Sequence, residues 1–528
     1  MKNFLRILTL IAGASFALAQ SKIAPDLPVS TGTTSGPTLP GAPSYFDVIV
    51  QYNTAPSQSE LIALGPMSTN RKQFTHVNAV STRLSATQIQ TIILDPNVKY
   101  VSPNRVTKGS LDITTSTVNA NVAWGLGYTG TGVGVAVIDS GIYAHDDLKT
   151  ASGSGSRIVY SQSFVPGLDA SDQFGHGTHV AGIVGSNGND STGIGFTRTL
   201  KGVAPNVNLI NLRVLDANGA GTDASVIAAI EQAIALQSTY NIRVINLSLG
   251  RPVWESYTLD PLCQAAEAAW QAGIVVVTAA GNYGRDNSLD EHGYGTIVAP
   301  GNDPYVITVG AMNDMGTASR SDDQIASYSS KGPTAIDHIV KPDMVAPGNG
   351  TVSLMSPNST LAASANLVPN SYYQTGGTGT SSSYLRLSGT SMATPVVSGA
   401  AALLLQQNPS LTPDQVKARL MKTAAKALTL FSMARDRFTL ASFSLQSDVF
   451  EVGAGYLDIQ AAISNHDLTS LPALSATALY NSFTHKVTIS RNFLTSWGAS
   501  VVWGDSLVYG LNVFNGLDLG GFSVVWGD

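Results

Sequence analysis

Residues 387–405 read LSGTSMATPVVSGAAALLL, and this stretch places a serine directly before a segment that is apolar on every side. A helix from Val396 to Leu405 would have no polar face, so it would be buried in a core. Pro395 is tolerated only near the first turn of such a helix, which places Ser391 at or beside its N-terminus. Free N–H groups and the positive end of the helix dipole favour a negatively charged oxygen there. The alternative for an isolated serine is a simple N-cap.

Outward from this segment, apolar runs alternate with helical patterns. The runs read GVGVAVID, NLINLRVL, IRVINLSL, GIVVVTAA and YVITVGAM. Uninterrupted apolar strands are typical of a parallel sheet that helices cover on both faces. We therefore predict an α/β fold over residues 109–463, a doubly wound and mostly parallel sheet with its chemistry at the carboxyl ends of the strands.

The composition is that of a compact globular protein. Of the 528 residues 43% are hydrophobic, which excludes wholesale disorder. Charged residues make up only 12%, and the formal net charge of −6 provides no basic field for nucleic acid or an anionic membrane. The single cysteine, Cys263, excludes an internal disulfide, and we interpret it as core filler.

The N-terminus has the pattern of a targeting segment. Lys2 and Arg6 precede a short apolar run, and Ala17-Leu18-Ala19 has the small-x-small form of a signal-peptidase site. This pattern predicts a signal peptide over residues 1–19 and a secreted chain with no membrane span after cleavage. A retained anchor is the alternative.

Three further segments flank the predicted sheet domain. Residues 20–44 are rich in Pro, Gly, Ser and Thr, which predicts a flexible linker. Residues 45–108 approach the order β-α-β-β-α-β with two capping boxes, which predicts a small ferredoxin-like α+β domain. Residues 464–528 carry Trp-Gly repeats at a period of six, which favours a short β-rich extension packed on the body over an independent binding module.

Four polar residues stand at predicted strand ends or helix starts. They are Asp139 after VAVI, His176 in FGHGTHVAG, Asn282 after VVVTAAG, and Ser391. The carboxyl ends of parallel strands share one edge, so we expect these residues to meet there. Together they would supply a carboxylate, a base, an oxyanion donor and a nucleophile. Each also has an ordinary structural interpretation, and His176 could pair with His179 as metal ligands.

These motifs resemble the subtilisin family of serine proteases. The matching stretches are VAVIDSGI, HGTHVAGIVG, INLSLG, AAGN and GTSMATP, in the chain order Asp, His, Ser. The resemblance implies a secreted serine endopeptidase in which Ser391 attacks the peptide carbonyl and His176 moves the proton. Asp139 would hold the imidazole and Asn282 would donate to the oxyanion. A catalytically silent peptide- or surface-binding protein on the same fold is the alternative.

The resemblance also implies substrate-binding residues and partners. The residues assigned in this way are Gly219, Ala220 and Gly221 on a strand that pairs with substrate, and Ser248, Leu249, Gly250, Ala280 and Gly281 on the walls of the primary specificity pocket. Arg251, Val298 near the expected pocket floor, and the insertion 284–295 depart from the simplest family pattern, so the preferred side chain stays open. The expected partners are protein or peptide substrates and the chain's own domain 45–108, an intramolecular inhibitor that the enzyme cuts off between about residues 100 and 112. We expect a monomer that binds no nucleic acid.

Family members commonly hold calcium in the loop after the histidine helix. Here Asp147 matches the family's carboxylate ligand, and Asn187 and Asn189 with main-chain carbonyls would complete an oxygen-only site for structural calcium. The extra residues FTRTLK lengthen this loop, and a solvated Asn/Gly loop is the alternative. No catalytic cofactor is implied. The insertion 351–385, which is mostly Ser, Thr, Gly and Asn, receives no role from the sequence.

Overall fold

The computed structural model describes most of the chain from residue 45 to residue 496, together with short pieces on either side. The described residues are 22–24, 27, 45–65, 71–75, 77–104, 106–109, 115–288, 291–363, 367–435, 441–481, 486–490, 494–496, 508–510 and 522–524. The predicted signal peptide and most of the Trp-Gly repeats lie outside these residues. None of the described helices combines the length and the apolar character that crossing a membrane requires.

A small module forms the N-terminal part of the described chain. Its elements are β1 (Phe46–Tyr52), α1 (Gln58–Ala63), β2 (Lys72–Phe74), β3 (Ala79–Leu84), α2 (Ala86–Ile92) and β4 (Val98–Pro103). The strands form an antiparallel sheet in the order β2-β3-β1-β4 with its own apolar core. Both helices start with a capping box, at Ser57 and at Ser85. The order β-α-β-β-α-β is the one that the sequence pattern predicts. Strand β5 (Val106–Gly109) follows the module.

The body follows with alternating strands and helices. Its first half contains α3 (Ala120–Gly125), β6 (Gly134–Asp139), β7 (Ile158–Ser163), α4 (His176–Gly185), β8 (Asn208–Arg213), β9 (Ala220–Thr222), α5 (Asp223–Ala235), α6 (Gln237–Tyr240), β10 (Ile242–Leu247), β11 (Leu249–Gly250), α7 (Pro261–Gln271) and β12 (Val275–Ala279). Its second half contains β13 (Ile307–Asn313), β14 (Gln324–Ile325), β15 (Met344–Pro347), β16 (Thr351–Leu354), β17 (Leu367–Pro369), β18 (Thr380–Leu387), α8 (Thr390–Gln407), α9 (Pro413–Thr423), β19 (Phe431–Arg435), β20 (Ser442–Gln446), α10 (Val449–Val452) and α11 (Ile459–Ser464). Short 3-10 helices lie at Asp146–Leu148, Asn189–Ser191 and Asn370–Tyr372.

One large sheet organises the body. Its strands run in the order β14-β13-β12-β10-β6-β8-β7, with β15 paired to β13, and all pairs except β13-β14 are parallel. Strands β6 and β12 are buried along their whole length, as their uninterrupted apolar sequences require. Helix α8 contacts β10, β12, β13 and β15 and is buried from Thr390 to Leu405. The predicted mostly parallel α/β sheet is confirmed.

The segment predicted as a flexible linker differs from that expectation at residues 22–24. Ile23 forms a parallel bridge with Val101 of β4, and Lys22 Nζ donates to the carbonyls of Ile93 and Asp95. Ile23 is buried in the core of the N-terminal module. Its apolar side chain and the free edge of β4 explain why this piece docks within a polar, turn-rich segment.

The C-terminal part begins inside the body. Strands β21 (Thr477–Asn481) and β22 (Lys486–Ser490) form a hairpin, and β23 (Val508–Gly510) pairs with β24 (Phe522–Val524). Ser475 Oγ donates to the buried carboxylate of Asp343 at 2.5 Å and accepts from Lys417 Nζ at 2.8 Å. The predicted boundary near residue 464 therefore precedes residues that complete a buried ionic network.

Candidate active site

Two of the predicted site residues meet where β6 ends and α4 begins. His176 Nδ1 lies 2.6 Å from Asp139 Oδ1, and both side chains are buried. The same carboxylate oxygen accepts the N–H of Ser140 at 2.7 Å. Because Nδ1 faces the carboxylate, the imidazole keeps Nε2 as its second functional atom. This is the orientation in which a histidine can take a proton from a neighbouring hydroxyl.

A buried aspartate ties these two elements together. Asp172 Oδ1 accepts from the Gly175 N–H at 2.7 Å and from Ser140 Oγ at 2.8 Å, while its Oδ2 accepts from the Thr178 N–H at 2.8 Å. Ser140 Oγ in turn accepts the N–H of Gly177 at 2.8 Å. Burial raises the pKa of Asp172, and these hydrogen bonds oppose the rise. The network fixes the end of β6 against the first turn of α4.

Glycine is needed where α4 approaches the end of β6. A Cβ added at Gly177 would lie 2.2 Å from the Gly141 carbonyl oxygen and 3.1 Å from Asp139 Cβ. Any side chain there would push the imidazole away from its carboxylate. The ring of Phe174 stacks on that of His176 with centroids 6.2 Å apart, which limits the motion of the imidazole on one side.

Ser391 is the second residue of α8, as the sequence predicts, but Pro395 lies in the second turn of the helix and not in the first. A proline at this position removes the backbone donor that the Ser391 carbonyl would otherwise use. Ser248 Oγ supplies the missing bond and donates to that carbonyl at 2.7 Å. The helix therefore extends five residues before Pro395, because a side chain from the neighbouring strand end replaces the lost hydrogen bond.

Asn282 is held beside the N-terminus of α8. Its Oδ1 accepts from the backbone N–H of Thr390 at 2.9 Å and from Thr390 Oγ1 at 3.2 Å. The same hydroxyl accepts the N–H of Gly281 at 3.2 Å. With Oδ1 used in this way, the Asn282 amide presents its N–H groups as donors. Its partner Thr390 directly precedes Ser391 in the chain.

The predicted substrate strands flank another segment of the chain. Strand β5 lies between β9 and β11 and pairs with both in antiparallel register. Thr107 pairs with Gly221, and Lys108 pairs with Ala220 on one side and with Gly250 on the other. The two edges therefore accept an extended peptide between them.

Comparisons with known proteins agree with this geometry. Residues 130–451 match the sequence model described as the subtilase family. The chain is 40% identical over 355 residues to serine protease AprX of Bacillus subtilis strain 168, covering 66% of this chain and 74% of that protein. It is 37% identical over 360 residues to subtilisin E of the same strain, covering 67% and 77%. It is also 34% identical over 354 residues to a thermostable alkaline protease of Halalkalibacterium halodurans, covering 67% and 79%.

The chain belongs to the subtilase family. It is a serine endopeptidase, and its substrates are proteins.

The two predicted pocket walls of this subtilase are joined by one short segment. Val298 donates its N–H to the carbonyl of Ala280 at 3.0 Å. The next residue, Ala299, exchanges two backbone hydrogen bonds with Arg251, at 2.8 and 3.1 Å. Residues 298 and 299 therefore close the space between walls 248–250 and 280–281 at one end.

Arg251 does not enter the pocket. Its guanidinium is buried and lies 2.8 Å from an oxygen of Asp260 and 3.1 Å from one of Asp223. Asp223 and Asp260 raise the pKa of this guanidinium far above its usual value, against the opposing effect of burial. Because both carboxylates are buried as well, the charge of Arg251 is neutralised inside the protein and carries no preference for an acidic substrate.

The carboxylate predicted to hold calcium in this subtilase already has protein donors on both oxygens. Asp147 Oδ1 accepts the N–H of Asp190 at 2.7 Å. Its Oδ2 accepts the hydroxyls of Tyr384 at 2.8 Å and Ser186 at 3.1 Å. Burial raises the pKa of Asp147, and these donors counteract part of that rise.

Of the two asparagines predicted as calcium ligands, Asn187 is engaged through both ends of its side-chain amide, and Asn189 through its backbone N–H. Asn187 Nδ2 donates to the Lys149 carbonyl at 2.9 Å, and Asn187 Oδ1 accepts the N–H of Asn189 at 3.0 Å. A calcium site needs several oxygens free to face the ion. Asp147 and Asn187 are thus tied to protein groups in this structure, and calcium binding at this loop stays a prediction.

One member of a related group of side chains cannot ligate a metal. Within the described part of the chain, His145, Asp147 and Asp190 place potential ligand atoms within 4.8 Å of one another. However, His145 Nδ1 accepts the N–H of Asp147 at 3.1 Å, so Nε2 carries the ring hydrogen and faces the Ser383 carbonyl at 3.1 Å. An imidazole bonded in this way has no lone pair left for an ion.

The alternative of a histidine pair at the start of α4 is not supported by the contacts. His176 faces Asp139, whereas His179 Nε2 lies 3.1 Å from the carbonyl of Leu385 in β18. Burial lowers the pKa of His179 to about 3, so this ring is neutral in the folded protein.

The sequence interpretation missed three supporting residues. Asp172 fixes the first turn of α4, which carries His176, and Thr390 holds Asn282. Arg213 is buried and donates to the carbonyls of Asp169 at 3.0 Å and Ser171 at 2.8 Å, which braces the loop before α4. A charged residue at the end of the apolar strand NLINLR was the available signal, because such a charge is buried only with partners.

Proposed function

We propose that this subtilase is a secreted endopeptidase that works through an Asp-His-Ser triad. Ser391 is the nucleophile, His176 the general base and then acid, Asp139 the group that orients and stabilises the imidazolium, and Asn282 an oxyanion donor. The 2.6 Å contact between His176 and Asp139, both buried at the edge of the sheet, is the observation that carries this proposal. Without a buried carboxylate the second ring nitrogen of His176 would not be fixed as the proton acceptor.

In the proposed reaction the hydroxyl of Ser391 gives its proton to His176 as the oxygen attacks the peptide carbonyl. The carbonyl oxygen becomes negative, and the Asn282 amide together with the N-terminus of α8 stabilises that charge. His176 then gives the proton to the leaving amine, and water repeats the sequence on the acyl-enzyme. Asp139 stays ionised throughout, since its role is to balance the charge of the imidazolium.

The N-terminal module is proposed as the enzyme's own inhibitor. Asn104, at the end of the module, accepts the N–H of Ala224 at 2.7 Å and so caps the N-terminus of α5. Lys99 Nζ donates to the Thr258 carbonyl at 3.2 Å, and the Gln51 amide donates to the carbonyl of Leu259 before α7. These contacts hold the module on the body and direct β5 into the position of a substrate.

The register of β5 suggests where the chain is cut. Lys108 pairs with Gly250 and Gly109 with Leu249. The next residue along that wall is Ser248, whose hydroxyl bonds the carbonyl of Ser391. We therefore place the self-processing cut after residue 109 or 110, within the range that the sequence predicts.

Secretion follows from the N-terminal sequence pattern, and we propose that the enzyme acts outside the cell as a monomer.

A serine-directed phosphonylating reagent tests the proposed function. The mature protein should hydrolyse casein, the reagent should stop hydrolysis, and the label should map to Ser391. Ser391→Ala should accumulate as one unprocessed chain, with Ser388→Ala as a matched control in the preceding turn that still matures. Self-processing of Ser391→Ala at the same bond, with no other protease present, would contradict the assignment of the nucleophile.

A further inference from the structure

We infer that Val298 limits the residue before the scissile bond to glycine, alanine or serine. The inference rests on the proposed function, because it names the substrate class of the same site. It concerns the pocket between walls 248–250 and 280–281, whose depth decides how large a side chain can enter.

Val298 touches both walls of this pocket. A Cβ added at Gly250 would lie 2.4 Å from Val298 Cγ2, and one added at Gly281 would lie 2.7 Å from Val298 Cγ1. The two glycines therefore have no room for even a methyl group beside this valine. The side chain of Val298 occupies the space beside these glycines, between the two walls, and only 3% of its surface is exposed.

Val298 cannot turn aside to let a large side chain in. Its N–H is fixed to the Ala280 carbonyl, and its neighbour Ala299 is fixed to Arg251 by two backbone bonds. Arg251 is in turn locked by its buried ion pairs with Asp223 and Asp260. Because valine carries two γ-methyls on Cβ, every staggered χ1 leaves at least one of them between the walls.

The chain's own junction has small residues at the matching position. The register of β5 brings Gly109 opposite Leu249, and the sequence continues with Ser110. A cut after either residue would place a glycine or a serine before the scissile bond. The first substrate that this enzyme meets thus agrees with a shallow pocket.

The test uses mature enzyme and tetrapeptide p-nitroanilides that differ only in the residue before the scissile bond. Each added methylene in a tight apolar pocket changes kcat/KM by roughly 10-fold or more, so alanine should exceed leucine and phenylalanine by at least about 100-fold. Val298→Gly should raise kcat/KM for phenylalanine by about 100-fold and change that for alanine by less than about 5-fold. Val298→Ala should give an intermediate ratio.

Val416→Ala in α9 is the matched control. Like Val298→Ala, it removes two methyl groups, but from a fully buried position outside the pocket. It should therefore lower stability without changing the ratio of kcat/KM for alanine to that for phenylalanine. If Val298→Gly does not fold, Val298→Ala and the cleavage sites of wild-type enzyme on a denatured proteome decide the question. Sites after Gly, Ala and Ser support the inference.

A wild-type preference for leucine or phenylalanine, or an unchanged ratio in both Val298 variants, overturns the inference and leaves the proposed function intact. No hydrolysis of any peptide, combined with no labelling of Ser391 by the phosphonylating reagent, overturns the proposed function and the inference with it.

Discussion

Replacing Tyr384 by phenylalanine removes one hydroxyl from the position where the family resemblance placed calcium. Tyr384 Oη donates to the buried carboxylate of Asp147 at 2.8 Å, across 237 positions of sequence. Ser186 and the Asp190 N–H remain as donors to the same carboxylate. The variant therefore tests whether protein hydrogen bonds, rather than an ion, brace the loop after α4.

The size of the effect follows from the charge and burial of the acceptor. A hydrogen bond to a charged group contributes about 1.5–3 kcal/mol to stability. Unfolding entropy of about 2.1 cal/mol/K per residue gives roughly 0.7 kcal/mol/K for a body of about 350 residues. We therefore expect Tyr384→Phe to lower Tm by about 2–4 °C. A calcium chelator should change the Tm of the protein with the wild-type loop by less than this amount, because protein donors already bond both oxygens of Asp147.

The assay is thermal unfolding of the Ser391→Ala background at mildly alkaline pH, with and without chelator, so that self-digestion does not obscure the transition. Tyr373→Phe is the matched control. Among the described residues the Tyr373 hydroxyl bonds the neutral side chains of Ser381 and Asn370, so the substitution should cost about 1 kcal/mol or less. A chelator effect of several degrees, with no effect of Tyr384→Phe, would show that the loop holds an ion after all.

Three further results are expected. Asn282→Ala should lower kcat by about 10² to 10³ with little change in KM, the loss measured for an oxyanion donor in the relative subtilisin; steady-state kinetics in which only KM changes would contradict the role. Ending the chain after residue 496 should leave peptide hydrolysis intact, whereas ending it after residue 470 removes Ser475 from a buried ionic network and should reduce the yield of folded protein, measured by gel filtration. The folded pKa of His179, about 3, lies below its unfolded value, so its neutral form stabilises the fold above pH 6.5 and this contribution is lost as the pH falls towards 3. The free energy of unfolding, measured with denaturant, should therefore change with pH in this range by up to about 1.4 kcal/mol per pH unit more in the wild type than in His179→Gln. Equal slopes would argue against a buried neutral ring.

The parallel sheet and the Asp-His pair could be predicted from the sequence because both depend on local patterns. Strand β6 is uniformly apolar up to Asp139, so the polar residue had to lie at the strand end. His176 is followed by small residues that let α4 pack closely, and the close approach of Gly177 to the Gly141 carbonyl shows why. Strand ends of a parallel sheet meet at one edge, so position along the chain was enough to bring the two residues together.

The hydrogen bonds of Asp147 could not be predicted from the sequence, because they depend on contacts that no local pattern contains. The Tyr384 hydroxyl that donates to Asp147 comes from β18, in an insertion to which the sequence assigns no role. Pro395 gives a second example, since its place inside α8 depends on Ser248 from a distant strand end. In both cases the donor comes from a distant segment, Tyr384 for the Asp147 carboxylate and Ser248 for the Ser391 carbonyl.

The insertion also connects the two helices on which the proposed reaction depends. Strand β16 donates a hydrogen bond from Ser353 Oγ to the carbonyl of His179 in α4 at 2.8 Å, and β18 accepts from the His179 ring through the carbonyl of Leu385. Strand β18 then ends at Leu387, three residues before α8 begins with Thr390. The three-stranded sheet of β16, β18 and β17 therefore fixes α4, which carries the proposed base, relative to α8, which carries the proposed nucleophile. Because a base acts only within hydrogen-bond reach of the hydroxyl, small shifts of β16 or β18 should alter catalysis without touching a reacting group.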